Sequence, residues 1–266
     1  MPETDPPVEI RARQAICEHL HRRRSGARTT AYLVSYPRSG NTLVREYFAI
    51  LQGRPQLSVY EGDVVQASDA ALTRALDHVQ IIKSHQMPAL DGPLIYLVRD
   101  GRNASLSFLY MAFLFGGHRF ASLGEVYDGL RYLDESEGSW ADHVAGAFEQ
   151  NKTRPILFVR HEDAVRCPEV ALTQIASFLD APLSPDVISQ SIRRQRTSIT
   201  YANNPRNGYT YEPEKNSIYD VLKQHRREDY WRLIFDSQSK KYFHERGGTR
   251  FLLHFGYEQS ADWWRD

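Results

Sequence analysis

An apolar run at residues 31–34, Ala-Tyr-Leu-Val, is followed within ten residues by an amphipathic run at 44–51, Val-Arg-Glu-Tyr-Phe-Ala-Ile-Leu. The first reads as a buried parallel strand and the second as a helix, so Tyr36-Pro37-Arg38-Ser39-Gly40-Asn41-Thr42 must be the turn between them. A glycine-containing turn that opens a helix presents unpaired backbone N–H groups at the positive end of the helix dipole. Arg38 adds a fixed positive charge, and Ser39 and Thr42 add hydroxyl donors. The combination points to a phosphate or sulfate group held at the C-terminal end of a strand. It is not the triphosphate loop G-x-x-x-x-G-K-[ST], because it has no Gly-Lys pair.

The same strand-then-helix pattern recurs. Residues 79–85, Val-Gln-Ile-Ile-Lys-Ser-His, form a β-branched run whose end delivers Lys83, Ser84 and His85 to the carboxyl edge of the sheet, where ligands bind in open α/β folds. Residues 94–98 predict a third strand running into Arg99, with Ser107 eight positions later along the following helix. A planar guanidinium and a hydroxyl so spaced can close on one anion from two sides, and Asp100 is placed to cap the helix starting near Gly101. Residues 155–159 predict a fourth strand, ending in Arg160-His161-Glu162-Asp163 and followed by a helix over about 165–179, for which Glu162 and Asp163 serve as caps. This alternation implies an α/β three-layer sandwich, with a central parallel sheet flanked by helices.

Elsewhere the pattern predicts an amphipathic helix over 8–24, room for one short helix in the polar stretch 52–75, and a long polar and aromatic interval hinged at Gly116-Gly117. A helix capped by Ser139 comes next. An arginine-rich helix over 187–196, a loop over 197–213 and helices over 219–235 and 239–254 complete the chain.

With 266 residues, 41% of them hydrophobic and 25% charged, the chain suits one large domain spanning 1–266, with a core at about 29–200 and a helical C-terminal part at about 201–266. Basic and acidic residues balance at 33 each, so no overall field draws it to nucleic acid or an anionic membrane, and anion binding must be local. The basic run His21-Arg22-Arg23-Arg24 reads as a solvated helix end. No signal peptide or membrane-spanning apolar run is recognisable, and Cys17 and Cys167 have neither metal-ligand nor redox spacing. Those features predict a cytoplasmic protein without a membrane span.

Taken together, these stretches resemble the cytosolic type of sulfotransferase that uses 3′-phosphoadenosine 5′-phosphosulfate (PAPS), a family related in fold to nucleotide kinases. Tyr36 to Thr42 resembles its 5′-phosphosulfate loop, Ile82-Lys83-Ser84-His85 the strand carrying its catalytic histidine, and Arg99 with Ser107 its 3′-phosphate pair. Gly138-Ser139-Trp140 with His143 is similar to the helix near its acceptor pocket, Arg160-His161-Glu162-Asp163 to its Tyr-Glu-Asp segment, and Thr197-Ser198 to residues touching the cofactor. The chain also departs from the family pattern. Arg38 stands where a lysine is usual, Leu43 where an aromatic stacks on adenine, and His161 where a tyrosine is usual; of the late Arg-Lys-Gly motif, Arg206-Asn207-Gly208 is the candidate remnant.

The resemblance implies a sulfotransferase acting by in-line displacement, with PAPS as donor, adenosine 3′,5′-bisphosphate (PAP) as product and no metal. His85 is implied as base, with Arg38 and Lys83 facing the developing charge, although Lys83 at a strand end can equally be snorkelling. Pro37, Arg38, Ser39, Gly40, Asn41, Thr42, Arg99, Ser107, His161, Thr197, Ser198, Arg206 and Gly208 are implied at the cofactor. His143, Trp140 and Phe113 are implied at the acceptor, a small molecule or glycan bearing a hydroxyl. His143 could instead serve helix packing, and Tyr110, Phe113, Phe115 and Trp140 could be core. Two other functions stay open at this level: a nucleotide or small-molecule phosphotransferase, and a catalytically silent PAP-binding protein. The sequence leaves the oligomeric state open, a homodimer included.

Overall fold

The computed structural model describes residues 29–60, 63–66, 70–89, 91–116, 126–197 and 229–265, and within them the side chains of 113–116 and 197 are excepted. The expected helix at 8–24, the loop from 198 onward and most of the expected helix at 219–235 lie outside the described residues. The described residues fall into two compact units, one drawn from 29–35, 40–97 and 147–197, the other from 36–39, 98–146 and 229–265.

The first unit holds a five-stranded sheet in the order β2-β3-β1-β4-β5. Its strands are β1 (Thr29–Ser35), β2 (Leu57–Ser58), β3 (Val79–Ser84), β4 (Leu94–Val98) and β5 (Ile156–Arg160). Central β1 pairs parallel with β3, from Thr29 opposite Val79 to Val34 opposite Ser84, and parallel with β4 on its other side. Both faces of these strands are buried, which is why they read as continuous apolar runs. On one face Ala31, Leu33, Ile81, Ile95 and Leu97 pack with Val44, Phe48 and Leu51 of α1 (Asn41–Gln52) and with Ala171 and Ile175 of α6 (Pro168–Phe178). On β4 and β5, Tyr96 meets Phe158, which stacks on Phe148 near the end of α4 (Trp140–Gln150). The α/β class with a parallel sheet flanked by helices is the one expected.

Several boundaries differ from the sequence reading. Glu162 and Asp163 do not cap a helix from outside; they sit in the first turn of α5 (His161–Arg166), where carboxylates favour the helix dipole. The single helix expected over 165–179 is two, because Cys167 leaves helical geometry (φ −128°, ψ 58°) and Pro168 opens α6. The last element here is α7 (Pro185–Thr197). No helix occurs among the described residues of 53–75, and β2 supplies an edge strand instead.

The second unit contains α2 (Gly101–Gly116), α3 (Val126–Glu137), the start of α4, then α8 (Trp231–Ile234), α9 (Ser237–Glu245), α10 (Gly248–His254) and a 3₁₀ turn at Trp263–Arg265. The interval read as polar and aromatic contains α3, whose buried Val126, Leu130 and Leu133 follow helical spacing. Gly247, at φ 83°, divides the helix expected over 239–254. Both expected caps form: the Arg102 N–H donates to Asp100 Oδ1 (2.9 Å) and the Asp142 N–H to Ser139 Oγ (3.0 Å). The core is aromatic, with Trp140 stacked on Phe243. The Arg102 guanidinium lies 3.7 Å from the Trp231 ring centroid and is ion-paired to Asp100 and Glu258. No described helix is long and apolar enough to cross a membrane.

Candidate functional site

The turn after β1 has two left-handed residues, Arg38 (φ 67°) and the helix N-cap Gly40 (φ 98°). Gly40 is required on two grounds. An L-residue is disfavoured at that φ, and a Cβ there would come within 2.3 Å of His161 Nδ1. The first helical bond runs from the Val44 N–H to the Gly40 carbonyl, which leaves the N–H groups of Asn41, Thr42 and Leu43 outside the intrahelical ladder. Asn41 Nδ2 donates to Ser35 Oγ and ties the helix start to the end of β1. Ser39 is 1% exposed, yet its Oγ has no hydrogen-bond partner among the described residues, which is costly for a buried hydroxyl unless a ligand accepts from it. Pro37 and Thr42 are half-buried.

His85 follows directly on β3. Val34 and Ser84 are register partners, so the next residues, Ser35 and His85, come opposite one another and His85 Nδ1 lies 2.9 Å from the Ser35 carbonyl oxygen. A carbonyl can only accept, so in the neutral ring Nδ1 carries the proton and Nε2 is the basic nitrogen. The His85 backbone N–H donates to the Tyr60 hydroxyl (3.1 Å), and the two rings stand 5.4 Å apart.

Lys83, two residues earlier on the same face of β3, lies 4.4 Å from the Tyr60 ring centroid and donates to Asp63 Oδ2 at 2.7 Å. Asp63 also accepts from the buried Arg45 through Oδ1 (2.7 Å) and its backbone carbonyl (2.6 Å), and from Ser58 Oγ (2.9 Å). Burial alone would raise the Asp63 pKa, but the Lys83 ammonium and Arg45 guanidinium outweigh it and hold the carboxyl well below the usual carboxylate range. Lys83 is therefore engaged by Asp63 in this structure. Neither Tyr60 nor Asp63 was singled out from the sequence. They sit in a stretch without periodicity, and their partners are 25 and 20 residues away.

In the second unit Arg38, Arg99 and Ser107 come together. Arg38 Nε donates to Ser107 Oγ (3.1 Å), and Arg99 Nη1 donates to the Arg38 carbonyl (2.9 Å). Among the described residues neither guanidinium has a carboxylate partner. The Tyr36 ring contacts Phe108 and His143 edge-on at 5.7 and 5.8 Å, and burial, helped by the Asp134 charge, pushes its hydroxyl far above its ordinary pKa. Trp140 is 2% exposed and packs over Gly101, where a Cβ would lie 2.3 Å from the indole, so its contacts are those of the aromatic core. It also borders a small cavity with Ser105, Asp134, Tyr242 and Arg246. Burial raises the Asp134 pKa despite the Tyr242 hydroxyl and Arg246 guanidinium that donate to it. The side chains of Phe113 and Thr197, and Ser198, Arg206 and Gly208 altogether, lie outside the described residues.

A family model described as "Sulfotransferase domain" matches residues 28–251. Human sulfotransferase 1E1 is 25% identical over 206 residues, covering 69% of this chain and 69% of the human protein. Mouse sulfotransferase 1B1 is 22% identical over 235 residues, covering 79% and 76%. In fold the chain is similar to mouse sulfotransferase SULT7A1 complexed with PAP, at a TM-score of 0.61 and 17% identity over 90% of this chain and 89% of that one. It is also similar to retinol dehydratase in complex with retinol and PAP, at a TM-score of 0.58 and 17% identity over 86% and 82%.

Proposed function

The chain belongs to the sulfotransferase domain family and is a sulfotransferase; from that premise we propose that it transfers the sulfuryl group of PAPS to the hydroxyl of a small-molecule or glycan acceptor, with His85 as base. The observation that carries this reading is the bond from His85 Nδ1–H to the Ser35 carbonyl. It holds the ring at the end of the two central strands and leaves Nε2 as the proton acceptor, in a side chain whose ordinary pKa lies near neutrality.

Each of the two units carries donors suited to an anionic group. Ser39 Oγ, buried and without a hydrogen-bond partner among the described residues, and the N–H groups at the start of α1 are donors for a phosphosulfate, while in the second unit Arg99 and Ser107 offer a guanidinium and a hydroxyl to a 3′-phosphate. PAP in the structures of SULT7A1 and retinol dehydratase supports this choice of donor, and retinol and androsterone in the latter support a small hydroxyl acceptor. PAPS supplies a sulfuryl group already activated by its phosphate leaving group.

His85 Nε2 takes the acceptor proton while the acceptor oxygen bonds to sulfur and the bond from sulfur to the 5′-phosphate oxygen breaks, leaving its electron pair on the phosphate. Loop N–H groups and Thr42 meet the charge that develops there. Lys83 adds its ammonium by exchanging its contact with Asp63. His161 lies against Gly40 and holds the turn in shape.

Replacing His85 with Ala should cut turnover by about 10²- to 10⁴-fold while leaving the affinity for PAP unchanged in a calorimetric titration. Arg99→Ala should weaken PAP binding. Full turnover in the His85 variant overturns the base assignment, and preference of the purified protein for ATP with magnesium over PAP alone overturns the donor.

A further inference from the structure

His85 must gain and lose a proton in the proposed reaction, and β3 has a neighbour on each side of it within the first unit. From β1 the Ser35 carbonyl accepts from the ring Nδ1–H. On the other side β2 pairs with β3 as far as Ser58 opposite Lys83, and the Val59 N–H then donates to the Lys83 carbonyl (3.1 Å). Tyr60 therefore comes level with His85. Its hydroxyl accepts the His85 backbone N–H at 3.1 Å, and its ring stands 5.4 Å from the imidazole, tilted by 47°. Tyr60 is itself held in place, because its N–H donates to Ser58 Oγ (3.1 Å) and its carbonyl accepts from the Asp63 N–H (3.2 Å). The same ring lies 4.4 Å from Lys83 Nζ, and the negative face of an aromatic ring favours a cation within about 6 Å of its centroid. Proton transfer to Nε2 brings a second positive charge against that ring. The imidazolium and the Lys83 ammonium, two residues apart on one face of β3, then repel each other. Asp63, 2.7 Å from Lys83, offsets one of the two charges, and the Tyr60 ring is placed to offset the other.

We propose that Tyr60 is a positioning residue for proton transfer: its hydroxyl fixes the His85 backbone at the end of β3, and its ring stabilises the imidazolium formed when Nε2 takes the acceptor's proton. The proposal rests on His85 being the base. Phenylalanine at this position would keep the ring and lose the acceptor for the His85 N–H, whereas leucine would fill much of the space and lose both. The two substitutions therefore separate the two tasks.

The test follows the His85 imidazole by NMR through a pH titration of wild-type protein, Tyr60→Phe and Tyr60→Leu, with the His85 signal identified by its absence from His85→Ala. Circular dichroism checks that each variant is folded. The charged groups on the elements about the ring, Lys83 on β3, Asp63 beyond β2 and Arg45 on α1, are the same in the wild type and both Tyr60 variants. Tyr60→Leu should lower the proton affinity of His85 by about 2- to 5-fold, and Tyr60→Phe should leave it within about 1.5-fold of wild type. Hydrogen exchange at the His85 amide should quicken by about 2- to 10-fold in both variants, because both remove the hydroxyl. Plain packing by Tyr60 would leave the proton affinity where it is. The inference is overturned if Tyr60→Leu leaves that affinity unchanged or raises it, if Tyr60→Phe lowers it as much as Tyr60→Leu, or if amide exchange is unaltered in Tyr60→Phe. Full turnover in His85→Ala would instead remove the base assignment, a result separable from these because it is read with Tyr60 intact.

Discussion

Gly40→Ala is the substitution that most directly probes why the anion loop has its shape. At φ 98° an L-residue suffers the steric conflict of a left-handed backbone, costing about 1–2 kcal/mol. The added Cβ would also stand 2.3 Å from His161 Nδ1, against an ordinary contact of about 3.5–4 Å, so the ring or the loop must retreat by more than an ångström. Overpacking of that size costs about 1–3 kcal/mol. The total, about 2–5 kcal/mol, is a large share of the stability of a typical domain. Urea unfolding followed by circular dichroism measures it. A double-mutant cycle with His161→Ala then separates the two causes, because removing the ring relieves the overpacking and leaves the backbone strain. The double variant should be more stable than the sum of the single effects by about 1–3 kcal/mol. Strict additivity would refute the reasoning, since the ring would then not be what the methyl group meets.

Asp63→Ala leaves Arg45 buried and Lys83 nearly so, both without their carboxylate. Because Asp63 is itself 36% exposed, the expected cost is about 2 kcal/mol rather than the larger value of a fully buried pair; an unchanged denaturation midpoint would count against it. The folded-state pKa of Asp63 is depressed, so its contribution is present above the unfolded value near about 4 and is lost only as pH falls through the lower folded value; acid titration of wild type against Asp63→Asn should show the two converging at the acid end. Asp134 has the opposite sign. Its raised pKa means a contribution present below the unfolded value and lost as pH rises through the folded one, so the penalty of Asp134→Asn should shrink from pH 4 to pH 7, and a constant penalty would contradict the shift. Ser139→Ala removes the cap of α4 and should cost about 1 kcal/mol by thermal or denaturant unfolding.

Residue order alone was enough for the strands, the glycine turn and the Arg99–Ser107 spacing, because each is local: apolar runs flanked by turn residues, a helix opening at a glycine, and a strand-end residue followed at a fixed interval by one on the next helix. The positions of β1, β3, β4 and β5 were legible within a residue or two, and the caps at Asp100 and Ser139 formed as read. Helix α3 was missed although its apolar spacing is regular, because the polar residues around it hid a narrow buried stripe.

Only the tertiary structure could decide what surrounds those groups. The tautomer of His85 depends on a carbonyl 50 residues earlier, brought opposite it by parallel register, and the backbone of every residue carries such a carbonyl. The attachment of Arg38 depends on a hydroxyl 69 residues later, and the engagement of Lys83 on a carboxylate 20 residues earlier. Composition and periodicity report which face of an element is buried. Which distant side chain meets a charge is settled by register and packing, where one position along a strand reverses the direction of every side chain.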